Sequence, residues 1–172
     1  MQVEKNGMIL FWQNDSIYSN WYEDDDLKIR TADGLEYDHS EGLFIALKAK
    51  TFGTGPEILR EISKMSPYHA KRFGRAGIPN FDEKVWEQKR YWCMIEAVQA
   101  KFEQCQRLKD ALIATYPNEI VEASPVDKVW GIGLAPDDER ALNRKNWRGL
   151  NLLGKALMHI RHQFWINDFE GN

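Results

Sequence analysis

Apolar residues in the first forty positions fall into short runs of the kind that build strands: MILFW at 8–12, LKIR at 27–30 and LEY at 35–37. Turn chemistry separates them at Asp15-Ser16 and Asp33-Gly34, so a small sheet is expected there. From Ser40 the spacing becomes helical. Ser40 reads as an N-cap ahead of EGLFIALKAKTF, and Gly53 stops that helix. Short helices follow at 56–64 and 67–73. The longest helix is expected over 82–105, where Tyr91, Met94, Ile95, Val98 and Phe102 recur at helical spacing. Trp86, Cys93, Ala97 and Ala100 mark a second stripe, and apolar faces on two sides predict a central helix. Another helix covers 107–115. The stretch EIVEASPVDKVWGIGL then turns extended and loop-like around Pro125, Gly131 and Gly133. A last helix over 149–165 sets Leu150, Leu153, Leu157, Ile160 and Phe164 on one core-facing stripe. No repeat, low-complexity segment or linker divides the chain. The expected class is α+β, mainly α-helical: one domain over 1–172, with a small N-terminal β-sheet packed on a helical core.

Composition agrees with a packed domain. The chain has 172 residues, 43% of them hydrophobic, and a domain of that size buries roughly 70% of the surface its unfolded chain exposes. A formal charge of −3, from 23 basic and 26 acidic residues, excludes a bulk field drawing the protein onto nucleic acid or membrane. Local basic patches remain. The opening MQVEKNGMILFWQND lacks a basic leader followed by a long apolar stretch, so a cytoplasmic location is expected. Cys93 and Cys105 fall in the long predicted helix about 18 Å apart, too far to pair with each other. Two lone thiols fit a reducing compartment, and no Cys or His cluster has metal-ligand spacing.

Three constellations carry candidate chemistry. In the helix from Ser40, the residues Leu43, Phe44, Ile45, Ala46 and Leu47 are apolar in succession, so that helix is buried. Glu41 and Lys48 flank the run nearly two turns apart, on one side, with about 10.5 Å of axial rise between their backbones. A side chain, water or a ligand placed between them must satisfy these charges, unless both ends of the run reach solvent. The second constellation is Ser124-Pro125-Val126-Asp127 followed by Trp130-Gly131-Ile132-Gly133. Its glycines would let backbone approach a ligand, Trp130 offers a stacking face and Asp127 a carboxylate for hydroxyls; a loop closed by a core tryptophan is the alternative. The third is the run from Trp147 to Gly154, which opens the last helix beside Arg144, Lys145 and Arg148. A helix N-terminus of that kind suits phosphate, although small residues there also serve packing. His159 and His162 have no Glu placed to complete a zinc motif. The run Lys71-Arg72-Phe73-Gly74-Arg75 would meet phosphates or solvent.

Taken in order, these segments resemble the NADAR family of YbiA-like N-glycosidases. Tyr18-Ser19-Asn20-Trp21-Tyr22 is similar to the family's FSNFY-like opening, and Ser40-Glu41 through Lys48-Ala49 to its SEHxxQAxKA helix. Gly74-Arg75, Trp86 ahead of Met94, Lys101-Phe102, the run from Ile120 to Asp127, Trp130 to Gly133, and the run from Trp147 to Gly154 continuing to Leu157-Met158 and Arg161 follow in register. The chain departs from the pattern where Gly42 replaces the usual His and Ile45 a common Gln. These losses bear on the substrate more than on the reaction.

The resemblance implies cleavage of a C–N bond at the anomeric carbon of a phosphorylated ribose, without metal or organic cofactor. Glu41 would stabilise an oxocarbenium-like centre or activate water, and Lys48 would either balance charge or, desolvated on an apolar helix, attack C1 to give a Schiff base. Asp127 would hold ribose hydroxyls or orient Lys48. Trp86 and Trp130 would stack on the base or clamp the sugar beside Gly131, while Asn20, Arg75 and Asn151 would meet phosphate or sugar oxygens. The substrate is expected to be ADP-ribose on guanine in DNA or a ribosylamino-pyrimidine phosphate of the riboflavin pathway. The polar groups missing at Gly42 and Ile45 and the basic residues at 71–75 and 140–148 lean toward the first, and the basic residues offer possible DNA contacts. A silent ADP-ribose reader and a purely structural interaction protein are the non-enzymatic alternatives. No membrane partner is expected.

Overall fold

The computed structural model describes residues 1–170, with side chains through residue 167. The chain forms two compact units. Unit 1 combines residues 1–22 with the chain from residue 106 onward, and unit 2 holds residues 23–105.

Unit 1 is built on a three-stranded mixed sheet. Strands β1 (Gln2–Lys5) and β2 (Met8–Phe11) form an antiparallel hairpin in which Lys5 pairs with Met8. The two residues between them, Asn6 and Gly7, both have positive φ, the backbone that a tight hairpin needs and that Asn-Gly supplies at low cost. The expected sheet is corrected here: β2 pairs with β1, a strand not recognised from sequence. Strand β5 (Glu119–Glu122) lies parallel to β2 with Ile9 opposite Ile120, so its partner is over a hundred positions away in sequence. Ile9, Leu10 and Phe11 are all buried, as a central strand covered on both faces requires. Leu10, Val121, Ala123, Ile132, Leu134 and Ala141 form one core cluster, edged by Met8, Leu142 and Trp147. Helix α5 (Gln106–Ile113) packs on α6 (Leu152–Glu170), which packs on β5.

Unit 2 contains the other half of the expected sheet as a separate two-stranded ladder, β3 (Ile29–Arg30) with β4 (Glu36–Tyr37), turned at Asp33-Gly34. Helix α1 (Ser40–Thr51) packs against α2 (Pro56–Ile62), α3 (Pro67–Ala76) and α4 (Glu83–Glu103). All residues from Ser40 to Leu47 are buried, so α1 is the central helix of this unit. The expectation that the longest helix would be central is corrected. In α4 the second stripe is only half-covered at Cys93 and Ala100, and before Tyr91 only Trp86 is buried, because the helix extends past the elements it packs on. Asp82 caps α4 through the Lys84 and Val85 amides, and α4 ends before Cys105, which lies outside it. Both thiols are free. No helix among the described residues is long and apolar enough to cross a membrane.

Candidate functional site

Within unit 2 the candidate chemistry centres on α1, and its start differs from the expected one. The N-cap is His39, whose Nδ1 accepts from the Gly42 amide at 2.9 Å, while Ser40 is already helical and fully buried. An Nδ1 that accepts carries no proton, so Nε2 donates to the Met65 carbonyl at 2.8 Å. This is the neutral imidazole, and burial holds its pKa below the ordinary histidine value, against the opposing pull of the Met65 contact. A Cβ on Gly42 would lie 3.1 Å from His39 Cε1 and 3.2 Å from Tyr37 Cδ1, so the cap and β4 already fill the space of a side chain there. Ile45 is buried and lies against Gly74 of α3. Both departures from the family pattern are thus absorbed by internal packing, which removes the support they lent to one substrate over another.

Glu41 is 7% exposed, so the acidic end of the apolar run does not face bulk water. Lys48 is half-buried, and its Nζ donates to the Gly74 carbonyl at 2.8 Å. The same Nζ lies 4.2 Å from the Phe81 ring centroid and 5.0 Å from that of Trp86, within cation–π range of both. Trp86 is itself buried, tilted against Phe44 at 5.5 Å. Burial pulls the Lys48 pKa below the ordinary amine value, with Glu83 opposing. The arrangement therefore gives a confined amine with an enlarged neutral fraction, the state in which a lysine is a nucleophile. Arg75 is exposed in the last turn of α3. Phe81 was not recognised from sequence, since it lies between helices where no periodicity marks it.

In unit 1 the loop after β5 is tied by its own residues. Asp127 Oδ1 accepts from the Val129 and Trp130 amides at 2.9 and 2.8 Å, and the Asp127 amide donates to Ser124 Oγ at 3.1 Å. These bonds set the turn that presents the half-buried Trp130. A Cβ on Gly131 would stand 2.8 Å from the Glu122 carbonyl oxygen, and one on Gly149 would stand 2.3 Å from that of Gly131. The glycines let the chain approach itself, which accounts for them without a ligand. Asn20 is buried in the same unit.

The anion site expected at the start of the last helix is overturned. The amides of Leu150, Asn151, Leu152 and Leu153 donate to the carbonyls of Lys128, Gly131, Val129 and Trp130. Donors already paired with backbone are not available to phosphate. Asn151 is fully buried at positive φ, accepts from the Glu122 amide at 3.0 Å and donates to the Ile120 carbonyl at 3.0 Å. Its expected role on phosphate or sugar is replaced by one holding β5 to α6. The helix starts at Leu152 rather than 149 for the same reason. Of the nearby cations, Arg140 pairs with Asp138 and Arg144 with Glu119. Among the described residues no group of three or more His, Cys, Asp or Glu side chains could hold a metal ion.

The NADAR domain model matches residues 10–165, across both units. N-glycosidase R617 of Acanthamoeba polyphaga mimivirus is 35% identical over 128 residues, 74% of this chain and 75% of that protein. Riboflavin biosynthesis protein PYRR of Zea mays is 34% identical over 111 residues, which make up 62% of this chain and 16% of that much longer one. The NMR structure of the E. coli protein YbiA matches with a TM-score of 0.73 at 29% identity, covering 98% of this chain and 90% of that one. Six helices with a small mixed sheet of this kind define an α+β protein of YbiA-like fold. The chain belongs to the NADAR family, which places it among N-glycosidases.

Proposed function

We propose that this protein hydrolyses the bond between a nitrogenous base and C1 of a phosphorylated ribose, with ADP-ribose on guanine in DNA as its substrate. The observation that carries the reaction is the Lys48 amine, confined by the Gly74 carbonyl and the Phe81 and Trp86 rings, with burial lowering its pKa. The neutral amine attacks C1 as the C1–N bond breaks, and one amine proton passes to the departing base. Ring opening gives a protonated Schiff base, with O4′ taking a proton for which the Glu41 carboxyl is the proposed donor. Water then adds to C1, and collapse of the carbinolamine returns the free amine and releases the sugar phosphate. Trp86 is assigned to stacking. For Asp127 and Trp130 of the loop in unit 1 we carry over the family's roles on ribose hydroxyls and base.

Support for the ADP-ribose substrate is the exposed pair Arg72 and Arg75 at the end of α3. The likeness to the riboflavin biosynthesis protein favours a second reading, cleavage of a ribosylamino-pyrimidine phosphate. Incubation with each substrate, followed by chromatography of the released base and sugar, separates the two. Borohydride is expected to trap a protein–sugar adduct that is absent in Lys48→Ala, together with a loss of turnover of at least about a thousandfold. Unchanged turnover in that variant rules out the covalent route. Tight ADP-ribose binding without release from any substrate replaces the enzyme with a reader.

A further inference from the structure

The amine of Lys48 is held by a residue that has no side chain. Gly74 lies in the last turn of α3, where helical carbonyls have no partner within the helix, and its oxygen accepts from Lys48 Nζ at 2.8 Å. The end of a helix that presents carbonyls carries partial negative charge, which suits an amine donor. The same residue lies against α1, where the nearest atom is the terminal methyl of Ile45. A Cβ built at position 74 would lie 2.4 Å from Ile45 Cδ1, closer than real side chains come, with Cγ1 at 3.3 Å and Cγ2 at 3.4 Å. Ile45 and Lys48 are three residues apart on α1 and so face the same neighbour. The apolar contact and the polar contact therefore fall on one glycine: Ile45 seats against its α-carbon while Lys48 reaches its carbonyl.

We propose that Gly74 is the positioning residue for Lys48, and that Ile45 is its complement: the seat that Ile45 takes on the bare α-carbon fixes the spacing at which the carbonyl aims the amine between Phe81 and Trp86. This deepens the reading of Lys48 as the reacting amine and rests on it. A branched aliphatic side chain fills the seat, whereas an amide side chain would have to bury polar atoms against an α-carbon.

The test is the Lys48 titration, followed by NMR of lysine labelled at the side-chain nitrogen and ε-carbon and assigned by its loss in Lys48→Arg. It is read beside the pH profile of kcat/KM in Gly74→Ala, Ile45→Val, Ile45→Ala and Gly74→Ala/Ile45→Val. Gly74→Ala is expected to move the Lys48 pKa upward, shift the acidic limb of the profile with it, and lower kcat/KM at least about tenfold at neutral pH, with KM moving less than kcat. Ile45→Val alone, which takes only Cδ1 from the seat, should raise the Lys48 pKa by less than Ile45→Ala does. The double variant removes the Cδ1 atom that the new methyl would strike, so it is expected to restore both the titration and most of the rate. Ile45→Ala, which opens the seat without any clash, should also raise the Lys48 pKa by admitting water. A folded Gly74→Ala or Ile45→Ala protein with an unmoved Lys48 titration overturns the proposal, as does a double variant no better than Gly74→Ala. If the titrations shift as expected and wild type still cleaves neither candidate substrate, Gly74 keeps its positioning role and the glycosidase reading fails instead.

Discussion

Lys101 carries its amine into the fully buried face of α4, where burial pulls its pKa from 10.5 down to about 7 and Cys105 opposes the shift. Its Nζ lies 5.3 Å from the Phe102 ring centroid. In the unfolded chain the same amine titrates near 10.4, so above about pH 7 the unfolded state binds the proton that the folded state has released. Stability therefore rises with pH across that window, and below pH 7, where both states are protonated, the contribution is flat. Urea midpoints are expected to climb between pH 7 and 8.5 in wild type, and to climb much less in Lys101→Met. The upper limit is kept below the Cys93 thiol, which burial raises from 9.0. Position 101 lies three residues after Val98 and seven after Met94, on the core-facing side, but it was not recognised from sequence as a core position. What spacing could not supply was the degree of burial. Lys48, half-buried at the end of an apolar run, and Lys101, wholly buried, look alike in sequence and differ only in what packs over them.

At the scale of elements, the start of α6 shows how a run of small and polar residues can serve packing instead of binding. A Cβ on Gly154 would stand 2.2 Å from the Ile120 carbonyl oxygen, so helix and strand approach as closely as they do only because that side chain is missing. Asn151, one turn before, bridges the same strand with both ends of its amide. Asn151→Ala leaves the Glu122 amide and the Ile120 carbonyl without this partner and is expected to cost about 2–4 kcal/mol in urea denaturation. Gly154→Ala forces the helix off the strand and should cost about 1–3 kcal/mol or more. Read along the chain, Trp147 to Gly154 suggested an anion-binding helix start. The carbonyls that occupy its donors come from residues 128–131, and no local pattern announces a pairing between separate loops.

At the scale of the whole molecule, 23 cations against 26 anions give no field that would gather DNA without recognising it. The basic stretch at 140–148 contributes less than its composition suggests, because Asp138 and Glu119 occupy Arg140 and Arg144. Unmodified duplex DNA is therefore expected to bind weakly, with a dissociation constant above ~100 μM at physiological salt in fluorescence anisotropy. Submicromolar binding would show that a surface patch, and not the reacting group alone, selects the substrate. The same scale accounts for the sheet. Its central strand pairs with residues 2–5 on one side and 119–122 on the other, and residues 23–105 form a unit of their own between the two chain segments of unit 1.

What could be read along the chain was local: helices where apolar spacing repeats every three to four residues, the buried run of α1 with Glu41 and Lys48 at its ends, and the ordered motifs of the family. Those features depend on neighbours a few positions apart, and chain geometry fixes their relation wherever the element sits. Tertiary structure alone decided that His39 and not Ser40 caps α1, that α1 and not α4 is the centre of its unit, and that Asn151 faces backbone. It also brought Gly74, Phe81 and Trp86 around one amine. The choice of cap rests on the His39 contact with the Met65 carbonyl, and the others likewise join residues far apart in sequence, set by which surfaces bury one another; a one-dimensional pattern carries no term for that.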